Sequence, residues 1–107
     1  MGISKSIYFT DEQNRLADLA KALAHPARIA ILQYMVKHKS CIVGNLTDVL
    51  PISQATISQH LKELKNIGII KGEIDGPSIC YCIDQDAWSE AADILDSFLE
   101  SVKNNCC

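Results

Sequence analysis

The 107 residues lack most of the signals that assign a function outright. No run of about 18 apolar residues occurs, which excludes a membrane-spanning helix. There is no glycine-rich phosphate loop, no Ser-His-Asp context and no HExxH, so no enzyme is expected. Internal repeats and linkers are absent as well. The N-terminus has no secretory apolar core, and the expected compartment is therefore reducing and cytoplasmic. Charge of one sign is scarce too: the net charge of −3 argues, taken alone, against a nucleic-acid partner.

What is present changes that first impression. Residues 25–75 carry Arg28, Lys37, Lys39, Lys62, Lys65 and Lys71 against Asp48, Glu63, Glu73 and Asp75, a balance of +2. Residues 76–107 carry Asp84, Asp86, Glu90, Asp93, Asp96 and Glu100 against Lys103, a balance of −5. The acid is collected at one end. At 48% apolar content, with a single continuous pattern, the chain has enough for one domain. We place it at residues 10–103, with an arm at 1–9 and a tail at 104–107.

Local signals predict the elements. Thr10 and Gln13 form a capping-box pattern, so a first helix begins near Asp11, with Leu16, Leu19, Ala20 and Leu23 at helical spacing. Pro26 suits the first turn of a second helix, on which Ile29, Leu32 and Met35 or Val36 make an apolar stripe. A third helix is predicted over about Ile42 to Leu50, with Val43, Leu46 and Val49 inward. Leu50-Pro51-Ile52 is a tight break. Ser53 is an N-cap for a fourth helix with Ile57, Leu61 and Leu64 inward, ended by Gly68. Ile69–Ile74 and Ser78–Ile83 flank Asp75-Gly76-Pro77 as a hairpin. In the second strand Tyr81 shares a face with Ile79 and Ile83, while Cys80 and Cys82 share the other. Asp84 caps a last helix to about Lys103.

The order α-α-α-α-β-β-α is mainly helical with a β-hairpin wing, a winged helix-turn-helix. A reading helix needs short polar groups near its N-terminus, where they reach base edges in the major groove. Ser53, Gln54, Ala55, Thr56, Ser58 and Gln59 supply them, and His60, Lys62, Lys65 and Lys71 are the candidate phosphate contacts. An ordinary capped helix with a solvated polar face is the plain alternative; the wing that follows directly favours the reading helix.

Lys21-Ala22-Leu23-Ala24-His25-Pro26-Ala27-Arg28-Ile29-Ala30-Ile31-Leu32 resembles the opening motif of the ArsR/SmtB family of bacterial regulators. Ser53–Leu61, Lys62-Glu63-Leu64 and Gly68-Ile69-Ile70 are similar to that family's reading helix and first wing strand, and Tyr81 falls at its wing tyrosine. The resemblance covers about residues 10–103. It implies a homodimeric repressor on double-stranded operator DNA that leaves when a metal, metalloid or other inducer binds. It also implies dimerisation through the first and last helices. Leu16, Leu19, Trp88, Leu95, Phe98, Leu99 and Val102 are the residues expected there, and the breadth of that apolar surface independently asks for a partner chain.

Five cysteines remain: Cys41, Cys80, Cys82, Cys106 and Cys107. An odd count in a reducing compartment points to thiols or thiolate ligands rather than a disulfide framework. Soft thiolates select soft ions, so the inducer expected is As(III) or Sb(III), held by Cys106 and Cys107 with a third thiol from Cys80, Cys82 or Cys41. No constitutive cofactor is expected. The family's usual arsenic motif falls on Ile42, Gly44 and Thr47 here, and the last helix has no His for the family's zinc and nickel sites. The alternatives are oxidation or persulfidation of a thiol pair, or a winged-helix module that binds protein and not DNA.

Overall fold

The computed structural model describes residues 7–38, 41–44 and 46–103. Four helices and a two-stranded antiparallel wing follow one another: α1 (Asp11–Ala22), α2 (Pro26–Lys37), a short 3-10 turn (Leu46–Asp48), α3 (Gln54–Ile67), β1 (Ile70–Glu73), β2 (Cys80–Ile83) and α4 (Gln85–Lys103).

The helix boundaries follow from their caps. Thr10 Oγ1 accepts from Gln13 N–H, and Gln13 Oε1 accepts from Thr10 N–H, each at 3.0 Å. His25 Nδ1 accepts from Ala27 N–H at 3.0 Å, so a histidine caps α2 just before Pro26. Ser53 caps α3, and Gly68 ends it in the left-handed conformation at φ 97°. Asp84 Oδ1 accepts from Ala87 N–H at the start of α4.

The core lies where α1, α2 and α3 meet the wing. Leu19, Ile31, Leu46, Ile57, Leu64, Ile69 and Tyr81 are all at most 2% exposed. In the wing, Ile70 pairs with Ile83, Lys71 with Cys82, Gly72 with Tyr81 and Glu73 with Cys80. Gly72 is glycine for a reason. Its φ is 108°, and a Cβ there would run into the Cys80 carbonyl.

The predicted third helix is the main correction. Among the described residues of that span, Leu46–Asp48 is a 3-10 segment and no α-helix forms. Val43 and Val49 were expected inward and are instead 72% and 48% exposed. Gly44 has φ 83°, which no α-helix accommodates. Just before it, Ile42 is drawn into an isolated antiparallel bridge with Tyr81. Ile42 N–H donates to the Tyr81 carbonyl at 2.7 Å, and Tyr81 N–H returns a bond to the Ile42 carbonyl at 3.1 Å. Long-range pairing and a β-branched Ile-Val pair outweigh local helix preference here.

Candidate nucleic-acid interface and thiol cluster

α3 divides its two faces cleanly. Ile57, Leu61 and Leu64 are buried. Gln54, Ala55, Thr56 and Gln59 are exposed, and Ser58 is half-buried. The polar groups of the first turns are bonded to one another: Ser53 Oγ donates to Thr56 Oγ1 at 3.0 Å, and Gln54 Nε2 donates to Ser58 Oγ at 3.1 Å. Of these four side chains, Ser53, Gln54 and Thr56 are exposed at the helix N-terminus. Lys62, Lys65 and Lys71 are exposed.

His60 does not belong with them. It was expected to contact phosphate, but it is only 7% exposed. Arg28 holds it at 3.1 Å between Nη1 and His60 Nδ1, and its ring packs on that of His25 with centroids 4.6 Å apart. Burial, then the His25 and Arg28 charges, push the His60 pKa down, against an opposing pull from Glu63. His60 is a structural joint between α2 and α3.

Sequence reasoning missed the residue at the centre of that joint. Besides His60, the Arg28 guanidinium donates to the Ala22 carbonyl at 3.0 Å and the Lys21 carbonyl at 2.8 Å. It therefore closes the C-terminal end of α1 onto α3 through α2. The available signal was a charged residue set between Ala27 and Ile29 in an otherwise apolar helix. Arg15 does comparable work at the far end of α3. It donates to the Ile67 carbonyl at 2.8 Å and lies 3.7 Å from Glu90 of α4.

Along α1 and α4 the apolar residues separate into two groups. Leu19, expected at a dimer interface, is 2% exposed and belongs to the core of the chain itself. Its position on α1 turns it inward, next to Ala22. Leu16, Trp88 and Leu95 are half-buried, whereas Phe98, Leu99 and Val102 are 48%, 60% and 56% exposed. An apolar groove of about 280 Å³ lies between the two helices, walled by Leu19, Leu23, Trp88, Leu95 and Leu99. Among the described residues, no helix is long and apolar enough to cross a membrane.

Three of the cysteines lie among the described residues, each as a free thiol. Cys106 and Cys107 lie outside the described residues. Cys80 and Cys82 point away from buried Tyr81, as the strand alternation predicted, with Cys80 exposed and Cys82 half-buried. Cys41 immediately precedes the Ile42–Tyr81 bridge. Both wing thiols have raised pKa values: hydrogen bonding to Cys41 heads the causes for Cys80, and burial heads them for Cys82. Tyr81, sealed beneath, has its phenol pushed up to about 12 by burial, then by Tyr34. Its hydroxyl and His60 Nε2 have no hydrogen-bond partner among the described residues.

Known proteins share this fold. Residues 25–71 match the family described as "Bacterial regulatory protein, arsR family". The chain is 42% identical over 64 residues to the HTH-type transcriptional repressor SmtB of Mycobacterium tuberculosis, covering 60% of this chain and 47% of that one. It thus spans about half the length of that relative. It is 33% identical over 86 residues to an uncharacterised HTH-type transcriptional regulator of Methanocaldococcus jannaschii, covering 80% of this chain and 97% of the other. An ArsR-like transcriptional regulator from Rhodococcus sp. RHA1 has the same fold, with a TM-score of 0.68 and 22% identity, over 88% of each chain.

Proposed function

The chain belongs to the arsR family of bacterial regulatory proteins, and from that premise we propose a homodimeric repressor that binds double-stranded operator DNA and leaves it when a thiophilic inducer, As(III) or Sb(III), is taken up by cysteine thiols. One observation carries the DNA half of this reading. α3 spends its whole apolar face on the core and keeps Gln54, Ala55, Thr56 and Gln59 exposed at its N-terminal end, where a major-groove helix makes its base contacts. Lys62 and Lys65 on the same helix, and Lys71 on the wing, supply phosphate contacts.

The inducer half rests on thiol chemistry. Oxidation or persulfidation is the competing mechanism, and it requires thiols that ionise readily. The thiols of Cys80 and Cys82 are shifted the other way, which disfavours ready oxidation at the wing.

The test is binding to a duplex selected by the protein from a random pool, titrated with salt. Affinity is expected to fall steeply as salt rises. Lys65→Ala is expected to weaken binding to all sequences alike and to reduce the salt slope by about one phosphate contact. No selectable duplex, or an affinity insensitive to salt, would overturn the reading in favour of a protein-binding module.

A further inference from the structure

We propose that Arg28 and His60 are positioning residues for α3, and that a proton on His60 unfastens this helix and weakens DNA binding in mild acid. The DNA part of the inference rests on the repressor reading above; the hydrogen-bonded joint itself does not.

Hydrogen-bond chemistry assigns the protons. Arginine carries donors and no acceptor, so in the 3.1 Å contact between Arg28 Nη1 and His60 Nδ1 it is the imidazole nitrogen that accepts. His60 is therefore neutral, with its hydrogen on Nε2. His25 is committed in the same way, because its Nδ1 accepts from Ala27 N–H as the cap of α2. The two rings lie against each other with centroids 4.6 Å apart. Each gives the joint a lone pair that a proton on Nδ1 would remove.

The proton is hardest to accommodate on His60. Both ring nitrogens would become donors. Nδ1–H would face the Arg28 donor, and Nε2 is buried with no partner among the described residues. A ring only 7% exposed has little water to solvate its charge. The charged and titratable groups acting on it are His25 and Arg28 of α2 and Glu63 of α3. Glu63 alone favours the charged imidazole, and Lys21 of α1 holds that carboxylate at 3.8 Å. The lowered pKa of His60 accords with this geometry.

The joint sits where α3 does its work. His60 follows Gln59 directly and lies about one turn from Thr56, and both are proposed base contacts. Arg15 holds the far end of α3 through the Ile67 carbonyl. A protonated His60 leaves Ile57, Leu61 and Leu64 in the core but removes the directional bond that ties the middle of the helix to α2. The helix stays folded and loses its fixed presentation to the major groove.

The experiment uses the full chain and the duplex it selects from a random pool. Affinity is measured at constant ionic strength between about pH 5 and pH 8, with far-UV circular dichroism at each pH. The DNA-bound form excludes the His60 proton, so affinity should be flat above the ordinary histidine value of about 6.5 and fall below it. The limiting slope is about tenfold per pH unit for one proton. A histidine on phosphate gives the opposite trend, tighter binding in acid; affinity that holds or tightens overturns the inference. His60→Asn offers Oδ1 in place of Nδ1 without titrating, and should abolish the fall. His25→Asn keeps a capping side chain and should retain it. A fall that persists in His60→Asn, or that coincides with loss of the helical signal, overturns the inference. Ring nitrogen shifts by NMR test the joint without any variant: at about pH 7.5, above the ordinary value, His60 should be protonated on Nε2 only. A hydrogen on Nδ1 overturns it. That tautomer in a chain that selects no duplex would leave the joint standing and remove the repressor. A duplex bound equally well at every pH would do the reverse.

Discussion

α3 and α4 are both amphipathic, yet each leaves a different face unused. α3 buries Ile57, Leu61 and Leu64 in the core of the chain and has polar groups to spare. α4 buries only Ala91 fully and leaves Phe98, Leu99 and Val102 in solvent. The surplus on a helix tells what it is for: a spare polar face at a helix N-terminus suits base edges and phosphates, whereas a spare apolar face suits another protein surface. The charges follow the same division, with lysines on α3 and the wing and carboxylates along α4. An acidic helix beside a DNA-reading helix would repel DNA, so the two surpluses suit different partners.

The contrast can be broken by truncating each helix on its apolar side. Leu64→Ala should cost about 2–5 kcal/mol of folding stability, as large-to-small changes in a closed core do. Leu99→Ala should change stability by no more than about 0.5 kcal/mol at dilution where the protomer is monomeric, as at other exposed positions. Urea unfolding of both variants measures this, and equal losses would mean that α4 is closed within the protomer. On the polar side, Gln54→Ala or Gln59→Ala should leave unfolding unchanged and narrow the gap between preferred and altered duplexes by about 1–3 kcal/mol. Binding to a set of single-base variants reads that gap.

The smallest expected effect tests the correction at His60. Its folded pKa lies below the ordinary value, so the native state binds fewer protons than the unfolded chain. Stability is then complete above the unfolded value of about 6.5 and falls as the pH drops below it. His60→Gln should remove that part of the slope in acid unfolding curves. A histidine free to contact phosphate would contribute no such slope in the absence of DNA.

Caps and spacing made α1, α2, α3 and α4 legible, because each boundary depends on groups within four residues of it. The hairpin was legible for the same reason, including which face the wing cysteines take. What escaped was set by contacts distant in sequence. On a helical wheel His60 lies about 60° from Ile57, at the edge of the inward stripe, and contacts with the distant Arg28 and His25 go with its burial. Cys41 read alone is a small residue in a loop; its place beside the wing depends on a bridge between positions 42 and 81. The same bridge turned the expected third helix into an extended segment followed by one 3-10 turn.

That bridge has one more consequence. A two-stranded wing would have two open edges, each able to recruit a strand from another molecule. Pairing with Ile42 covers β2 at Tyr81, so the free edge is that of β1. There the strand is four residues long and carries Lys71, Gly72 and Glu73, a short and charged margin that discourages edge-to-edge aggregation. The wing can project toward a partner without becoming a template for fibrils.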